Sequence, residues 1–419
     1  MTLSLSRRTL LRTGAALLAP WPGLRSMALA ADGGADQALI VVFLRGGCDG
    51  LSLLAPANDP DYVADRAPEL RVRADGPRPG RPLRQRVAPE VDFRLHPEMA
   101  MLGELYDQRH LAFLHAAGLE NGTRSHFVAQ DLMDRGLSDG AQLQRTPQGW
   151  LTRLLVERPS GAPAIATTPA LPASLGFHAA SLAIPDLRGG LSLPGGPRVG
   201  PALAALYAGS GDPFARAAAE TLREMDLVDQ RLPRGPDGKV IDYYQPDHGA
   251  AYEETESGRA FRTVARLLKM DIGLTVAAID IGGWDHHDAL AGRFASVGGQ
   301  FGRSLAAFWN DIDRYHDRVT LVVMSEFGRR LRTNKSNGAD HGHGGVMMVL
   351  GGRVNGGEIY GRWPGLSSAQ LDNGVDLAVT TDYRRVLAEV LSVRYGVGTV
   401  LPRIFPGLPA GASLGIVRA

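Results

Sequence analysis

Five short, nearly continuous apolar runs constrain the fold of this chain more than any other feature. They cover residues 37–44, 110–115, 274–279, 319–324 and 346–350, and β-branched residues are frequent in them. Such runs are typical of strands that are buried on both faces of a sheet. Helical patterns lie between several of them, over 100–108, 126–135, 200–207, 213–232, 252–270, 294–315 and 381–395. This alternation predicts an α/β fold with a doubly wound, mostly parallel sheet and helices on both faces.

Composition excludes several classes of protein. The chain has 419 residues, of which 44% are hydrophobic and 21% charged, and this is an ordinary globular balance. Its formal net charge of +1 offers no electrostatic attraction for nucleic acid. Cys48 is the only cysteine, so neither an intramolecular disulfide nor an ordinary cysteine-ligated iron–sulfur cluster can form. No apolar stretch is long enough to predict a membrane span.

The first thirty residues resemble a twin-arginine export signal. Arg7 and Arg8 precede a weakly apolar run over residues 13–20, and Ala28-Leu29-Ala30 supplies a small-residue cleavage site. A plain basic terminus is the alternative, which the order of these parts disfavours. We expect residues 1–30 to be removed after export by the twin-arginine translocase, and residues 31–419 to form one periplasmic or secreted domain. That domain has 41 basic and 44 acidic residues, a net charge of −3.

Residues with metal-binding side chains follow the predicted strands. Ligands in open α/β sheets bind beyond the carboxyl ends of the strands, so distant segments converge there. Imidazole mixed with carboxylate suits zinc, manganese or iron, whereas sites made only of oxygen suit calcium and magnesium. The candidate ligands are Asp49, Asp280, Asp285, His286, His287, Glu326, Asp340, His341 and His343.

The number of these candidates predicts two divalent ions, with zinc or manganese favoured over calcium or magnesium. Taken singly, each aspartate or histidine could equally be a capping or turn residue in a glycine-rich loop. Taken together, the groups Asp285-His286-His287 and Asp340-His341-Gly342-His343 at predicted strand ends favour a metal site.

Ser125 is the candidate nucleophile. It stands where a predicted loop meets a predicted helix, and backbone N–H groups at a helix start favour an anion or alkoxide. Serine is also a preferred helix cap, so a structural role is the alternative. Its neighbour Arg124 could bind an oxyanion, and His126 could serve as a metal ligand or a proton shuttle.

Several motifs, in order, resemble a secreted bacterial family called domain of unknown function 1501. They include FLRGGCDGLSLLAP (43–56), LHPEM (95–99), TRSHFVAQDLMDRG (123–136), GWDHH (283–287), SEFGRR (325–330), GADHGHGG (338–345), LGGRVNGGEIYG (350–361) and TTDYRRVLAEVL (380–391). That family is grouped with the alkaline phosphatase and sulfatase superfamily. The resemblance implies a doubly wound sheet with a two-metal site and a nucleophile at a helix N-terminus.

The resemblance also implies roles for individual residues. Asp49 matches the metal-bridging aspartate after the first strand, and Ser125 matches the nucleophile. The remaining ligands implied are Asp280, Asp285, His287, Asp340, His341 and His343. The chain departs from the superfamily at Ser325-Glu326, where an Asp-His pair is usual and Glu326 is the available substitute, and it lacks the sulfatase Cys-x-Pro-x-Arg signature.

Two functions of different classes follow. The first is an exported, metal-dependent hydrolase that acts on a phosphate or sulfate ester through two metal ions and Ser125. The second is a non-catalytic periplasmic binding or assembly protein that keeps the fold, which the missing Asp-His pair favours. A metal-dependent oxidoreductase is a weaker third hypothesis, because no haem, flavin or iron–sulfur motif is present.

Overall fold

The computed structural model describes residues 37–159, 163–178, 180–191, 193, 195–196 and 198–419. The predicted export signal lies outside these residues. The described residues belong to one compact unit, and none of their helices is long and apolar enough to cross a membrane.

The order of elements follows the chain. The strands are β1 (Ala38–Leu44), β2 (Leu54–Pro56), β3 (Arg81–Pro82), β4 (Phe93–Leu95), β5 (Leu111–Gly118), β6 (Ala164–Ala166), β7 (Ser181–Ala183), β8 (Val276–Ile281), β9 (Val319–Met324), β10 (Gly345–Gly351), β11 (Ile359–Tyr360) and β12 (Thr381–Asp382). The α-helices are α1 (Gly50–Leu53), α2 (Pro60–Asp65), α3 (Leu102–Asp107), α4 (His126–Asp134), α5 (Trp150–Glu157), α6 (Val199–Tyr207), α7 (Pro213–Arg231), α8 (Glu256–Lys269), α9 (Leu290–Asp311), α10 (Tyr383–Tyr395) and α11 (Leu401–Ile404).

A nine-stranded sheet forms the centre of the fold. Its order is β11-β5-β10-β9-β1-β8-β6-β7, and β12 pairs with β5 beside this path. β1 runs parallel to β8 and β9, and β6 runs parallel to β7 and β8. The predicted doubly wound, mostly parallel sheet is therefore confirmed. One strand breaks the pattern, because β10 runs antiparallel to both β9 and β5.

The side chains of β1 show why helices cover both faces. Leu39 and Val41 join the hydrophobic layer that contains α4, α5 and α10, whereas Ile40 and Val42 join the layer that contains α8 and α9. Successive side chains of a strand point to opposite faces, so a continuous apolar run needs an apolar layer on each side. The helical patterns between the strands supply those two layers.

Some element bounds differ from the sequence-based prediction, because α8 begins at Glu256 rather than at residue 252 and α9 ends at Asp311 rather than at residue 315. Residues 56–95 are rich in proline, glycine and arginine, which predicts surface loops or excursions from the sheet. Together with the start of β2 they form such an excursion, which contains a small sheet in the order β2-β4-β3 and the helix α2. Helix α9 begins at Leu290, earlier than predicted, because the Leu290 N–H donates to the carbonyl of Asn337. Ala289 before it has a left-handed backbone with φ of 44°, which a sequence pattern does not reveal.

The buried Asp134 and the partly buried Asp280 share one guanidinium at the end of β1. Arg45 Nη1 and Nη2 lie 3.0 and 3.1 Å from the oxygens of Asp134, and Nη2 lies 3.0 Å from Asp280. Burial raises the pKa of Asp134 to about 6, and the nearby charge of Asp280 acts in the same direction. Arg45 opposes this rise without cancelling it.

This raised pKa predicts a stability that falls as pH increases. The folded state holds the Asp134 proton more tightly than the unfolded state. The stabilisation that results is fully present below about pH 4 and is lost as pH rises through about 6. Relative to Asp134→Asn, the wild-type free energy of unfolding should fall by roughly 2 kcal/mol over this range. Urea unfolding at several pH values measures the difference. The exposed control Asp237→Asn should track the wild type, and a wild-type advantage that grows with pH would contradict the assignment.

Candidate metal centre

Four segments meet at the carboxyl edge of the central strands. Asp285 follows β8, and Glu326 follows β9. His341 lies in the segment that leads into β10, which begins at this edge because it runs antiparallel. His126 is the first residue of α4, on the loop that follows β5. Sheet topology thus gathers residues that are far apart in the sequence.

Three histidines surround the carboxylate of Asp285. Nε2 of His126 lies 3.4 Å from Asp285 Oδ2, and Nε2 of His341 and of His287 lie 3.3 and 3.1 Å from Oδ1. The two nitrogens Nε2 of His287 and His341 are only 2.9 Å apart. Ligand atoms of His126, Asp285 and His341 all lie within 4.8 Å of one another.

The other ring nitrogen of each histidine has an acceptor as its partner. His126 Nδ1 lies 2.8 Å from Glu326 Oε1, His287 Nδ1 lies 3.2 Å from Asp340 Oδ1, and His341 Nδ1 lies 2.8 Å from the carbonyl of Arg124. Because the Nδ1 contacts of His126 and His341 are their shortest, they favour a proton on Nδ1 in these two rings. Both nitrogens of His287 lie at nearly equal distances from carboxylate oxygens. The Nε2 atoms of all three rings converge on Asp285. Metal-binding histidines are held in this way by their outer partners.

Glu326 is the most heavily hydrogen-bonded of these partners. It is fully buried, and its Oε1 accepts from the Gly46 N–H at 2.9 Å, from Gln130 Nε2 at 2.7 Å and from His126 Nδ1. Burial alone would raise its pKa, but the hydrogen bonds from His126 and Gln130 lower it. The hydrogen bond to Glu326 in turn raises the pKa of His126. Glu326 thus orients the His126 ring, and three donors occupy its Oε1, whereas we predicted that Glu326 would bind the metal.

Arg329 keeps Asp285 ionised. Its Nη2 lies 2.5 Å from Asp285 Oδ1, and its other nitrogens donate to the carbonyls of Gly47 and Ala339. Burial alone would raise the pKa of Asp285, but the contact with Arg329 lowers this pKa to about 2. Gly46, with φ of 122°, lets the loop after β1 approach closely, because an added Cβ would lie 2.6 Å from the Asp285 nitrogen.

Two of the predicted aspartate ligands are paired with arginines. Asp49 is buried, caps α1, and accepts from both Nη1 and Nη2 of Arg66, at 2.5 and 2.9 Å, and from Ser52 Oγ at 2.6 Å. Asp280 is paired with Arg45 as described above. Neither belongs to the cluster around Asp285, so we leave both out of the candidate centre.

Two of the predicted histidine ligands also lie apart from the cluster. His286 is buried, and its ring meets that of Phe294 at a centroid distance of 6.5 Å. Both ring nitrogens of His343 are engaged, Nδ1 with Asp372 at 2.9 Å and Nε2 with the carbonyl of Leu119 at 2.6 Å. His343 thereby fastens the loop that leads to Ser125.

Ser125 lies between two residues that contact the cluster. The carbonyl of Arg124 accepts from His341, and His126 faces Asp285. Ser125 itself is exposed, and its hydroxyl does not cap α4. The guanidinium of Arg124 is bound through Nε and Nη2 to one oxygen of Asp376, a fully buried carboxylate.

Sequence reasoning missed the side chains that support these groups. Arg329, Gln130 and Asp376 carry no metal-binding pattern, and their partners lie far away in the sequence. Arg329 stands in the motif SEFGRR, three residues after Glu326, and its place in that motif is the signal that the sequence offers.

The segment from residue 242 to 404 matches a known family model. Its description is "Protein of unknown function (DUF1501)". The family resemblance is confirmed over this stretch. The matched segment contains Asp285, His287, Glu326 and His341, while His126 and Ser125 lie outside it. No curated protein matches the chain.

Solved structures with a similar arrangement are distant. The C-terminal periplasmic domain of EcEptC from Escherichia coli, in complex with Zn, is 8% identical with a TM-score of 0.36, over 76% of this chain and 74% of that one. The lipoteichoic acid synthase LtaP from Listeria monocytogenes is 8% identical with a TM-score of 0.36, over 91% and 74%. The phosphonate monoester hydrolase of Agrobacterium radiobacter is 10% identical with a TM-score of 0.37, over 90% and 78%. Similarity at this level carries no argument about activity.

The Asp49–Arg66 pair predicts a large cost for removing one partner alone. Arg66→Leu should lower the free energy of unfolding by about 3–5 kcal/mol, because it leaves the Asp49 carboxylate buried without its cation. The double variant Arg66→Leu/Asp49→Asn should recover much of that loss. Urea unfolding measures both. Equal losses in the single and double variants would show that the pair is not the source of the effect.

Proposed function

We propose that this chain is a metal-dependent hydrolase of a phosphate or sulfate ester, built around one metal ion. The proposal rests on one observation: three imidazoles that are each hydrogen-bonded through Nδ1 direct their Nε2 atoms to the Asp285 carboxylate. The Nε2 atoms of His287 and His341 lie 2.9 Å apart, a separation that either a shared proton or a common cation stabilises. His126, Asp285, His287 and His341 are the proposed ligands.

The donor set fits zinc best. Three imidazoles with one carboxylate are ligands that zinc accepts, whereas calcium and magnesium prefer oxygen. The side chains of Asp285 and His287 are 46% and 45% exposed, so one flank of the centre is open to a substrate. Two ions were expected from the sequence, but among the described residues one group that could hold an ion is found. The proposal is therefore limited to one ion.

The chain's own residues suit ester hydrolysis. A bound ion would supply Lewis acidity, which stabilises negative charge and lowers the pKa of a hydroxyl group. Ser125 Oγ forms the bond to phosphorus or sulfur as the alcohol leaves, and water then releases the acid and restores the serine. The free N–H groups at the start of α4 favour negative charge beside Ser125. Asp376 holds Arg124, which leaves its Nη1 to bind an ester oxygen.

Export is part of the proposal and depends on the twin-arginine pattern of residues 1–30. The implied partners are the translocase during export and a small or polymeric ester afterwards, and no nucleic acid is implied. A protein that binds metal without turning over any ester would support the alternative, a periplasmic binding or assembly protein.

Metal analysis tests the centre directly. Protein purified without chelator and loaded with zinc should contain about one equivalent by elemental analysis. His341→Ala and Asp285→Asn should each lose it, because each removes one ligand. His248→Ala changes an exposed histidine outside the cluster and should keep the ion. Two equivalents in the wild type, or one retained in both ligand variants, would contradict a one-ion centre at Asp285.

Turnover tests the role of Ser125. Ser125→Ala should lower kcat for an aryl phosphate or aryl sulfate by roughly 1000-fold or more while the metal content stays unchanged. The control Ser336→Ala changes an exposed loop serine and should retain full activity. Equal activity of wild type and Ser125→Ala would assign Ser125 to a structural role in the loop before α4.

A further inference from the structure

A cavity of about 320 Å³ lies between the start of α9 and the loops that follow α2 and β4. Its apolar wall is formed by Leu70, Val72, Leu290 and Phe294, which are all buried. Small-molecule sites are typically concave, largely apolar and about 300–1,000 Å³ in volume. None of the lining residues is a proposed metal ligand, so the cavity is separate from the candidate centre.

Arg71 places a fixed positive charge at this cavity. Its Nε donates to the carbonyl of Arg66 at 2.7 Å, which holds the guanidinium in place. Its Nη1 and Nη2 have no partner within the described part of the chain. Arg78 also lines the cavity, but its guanidinium is already paired with Glu98. The two terminal N–H groups of Arg71 are therefore free to hold a carboxylate, whose two oxygens match their spacing.

His96 supplies a neutral donor at the same cavity. Its Nδ1 accepts from the Glu98 N–H at 3.2 Å, so the neutral ring carries its proton on Nε2. Burial and the charge of Arg78 lower the pKa of His96 to about 4, so the ring is uncharged near neutral pH. Its Nε2–H has no partner among the residues that the structure describes. The ring can therefore donate to a ligand without adding a charge.

The charges around the cavity suit a ligand with one negative charge. Glu69 lines the cavity and is exposed, so its carboxylate opposes a second negative charge on the ligand. The first turn of α9 borders the cavity and has no side-chain cap, so its backbone N–H groups add a partial positive charge. One unpaired guanidinium and one exposed carboxylate thus favour a monoanion over a dianion such as phosphate.

The volume of the cavity sets the size of the ligand. At about 30 Å³ per water molecule, the cavity has room for about ten waters, and hence for a ligand of about ten non-hydrogen atoms. We propose that it binds a small apolar carboxylate, with the carboxylate on Arg71 and His96 and the apolar part against Leu290 and Phe294. This site does not depend on the ester hydrolysis proposed above.

Saturation-transfer NMR on the full, zinc-loaded chain tests this site with phenylacetate, a carboxylate of this size. The wild type should bind it with a dissociation constant of roughly 0.1–1 mM. Uncharged phenylethanol and cationic phenethylamine should bind at least about tenfold more weakly, because neither forms the charged contact.

Two cavity variants should move the affinity for phenylacetate in opposite directions. Arg71→Gln should weaken binding at least about tenfold, because it removes the charged partner. Glu69→Gln should strengthen binding about twofold or more, because it removes a like charge. The matched control Arg73→Gln changes an exposed arginine outside the cavity and should bind as the wild type does. Asp285→Asn, which lacks a proposed metal ligand, should also bind as the wild type does.

The other outcomes overturn the proposal. Absence of saturable binding below about 10 mM does so, as does equal binding by the wild type and Arg71→Gln. Binding lost in Asp285→Asn but kept in Arg71→Gln would assign the carboxylate to the metal centre instead. Circular dichroism checks folding. If Arg71→Gln does not fold, Glu69→Gln decides, because unchanged or weaker binding there contradicts an anionic ligand. Each readout is binding alone, so absence of ester turnover leaves this test intact.

Discussion

The buried carboxylate of Glu326 is the contact on which the candidate centre depends. It ties the end of β9 to the loop after β1 through Gly46 and to α4 through Gln130 and His126. A buried carboxylate requires several donors, so removal of any one leaves part of its charge uncompensated. The same contacts that make its burial tolerable also fix which nitrogen of His126 faces Asp285. Glu326 thus determines both the packing of α4 against the sheet and the orientation of the His126 ring.

The arginine partner of each acid determines whether a carboxylate oxygen remains free for another contact. Arg66 forms a short ion pair with Asp49, and Arg45 forms one with Asp280. In each pair the arginine supplies the positive charge that a metal ion would otherwise supply. Arg329 contacts only Oδ1 of Asp285, and Oδ2 faces His126. The basic residues of the chain are almost all arginine, and the planar guanidinium suits such buried pairs. The acids that follow the strands therefore differ in whether the arginine partner contacts both carboxylate oxygens, as in Asp49 and Asp280, or only one, as in Asp285.

The sheet and its ligand edge could be predicted from the sequence because apolar runs and the residues after them are local signals. Strands β1, β5, β8, β9 and β10 lie where the apolar runs predicted them, with ends shifted by at most three residues. Which side chains meet could not be predicted in the same way. His286 and His287 are neighbours, yet one ring is buried against Phe294 and the other faces His341. Backbone direction at a glycine-rich loop decides this, and no residue pattern encodes it.

The antiparallel direction of β10 has a consequence for how the centre assembles. A parallel successor to β9 would need a crossover to the opposite edge of the sheet before returning. Because β10 instead starts beside the end of β9, residues 325–344 form one excursion that leaves and re-enters the sheet at the same edge. Glu326 and His341 stand near its two ends, so closing this single short loop brings them together at a small cost in chain entropy. The excursion thus carries His341 together with Glu326, which orients His126, while Asp285, His287 and His126 reach the same edge from other parts of the chain.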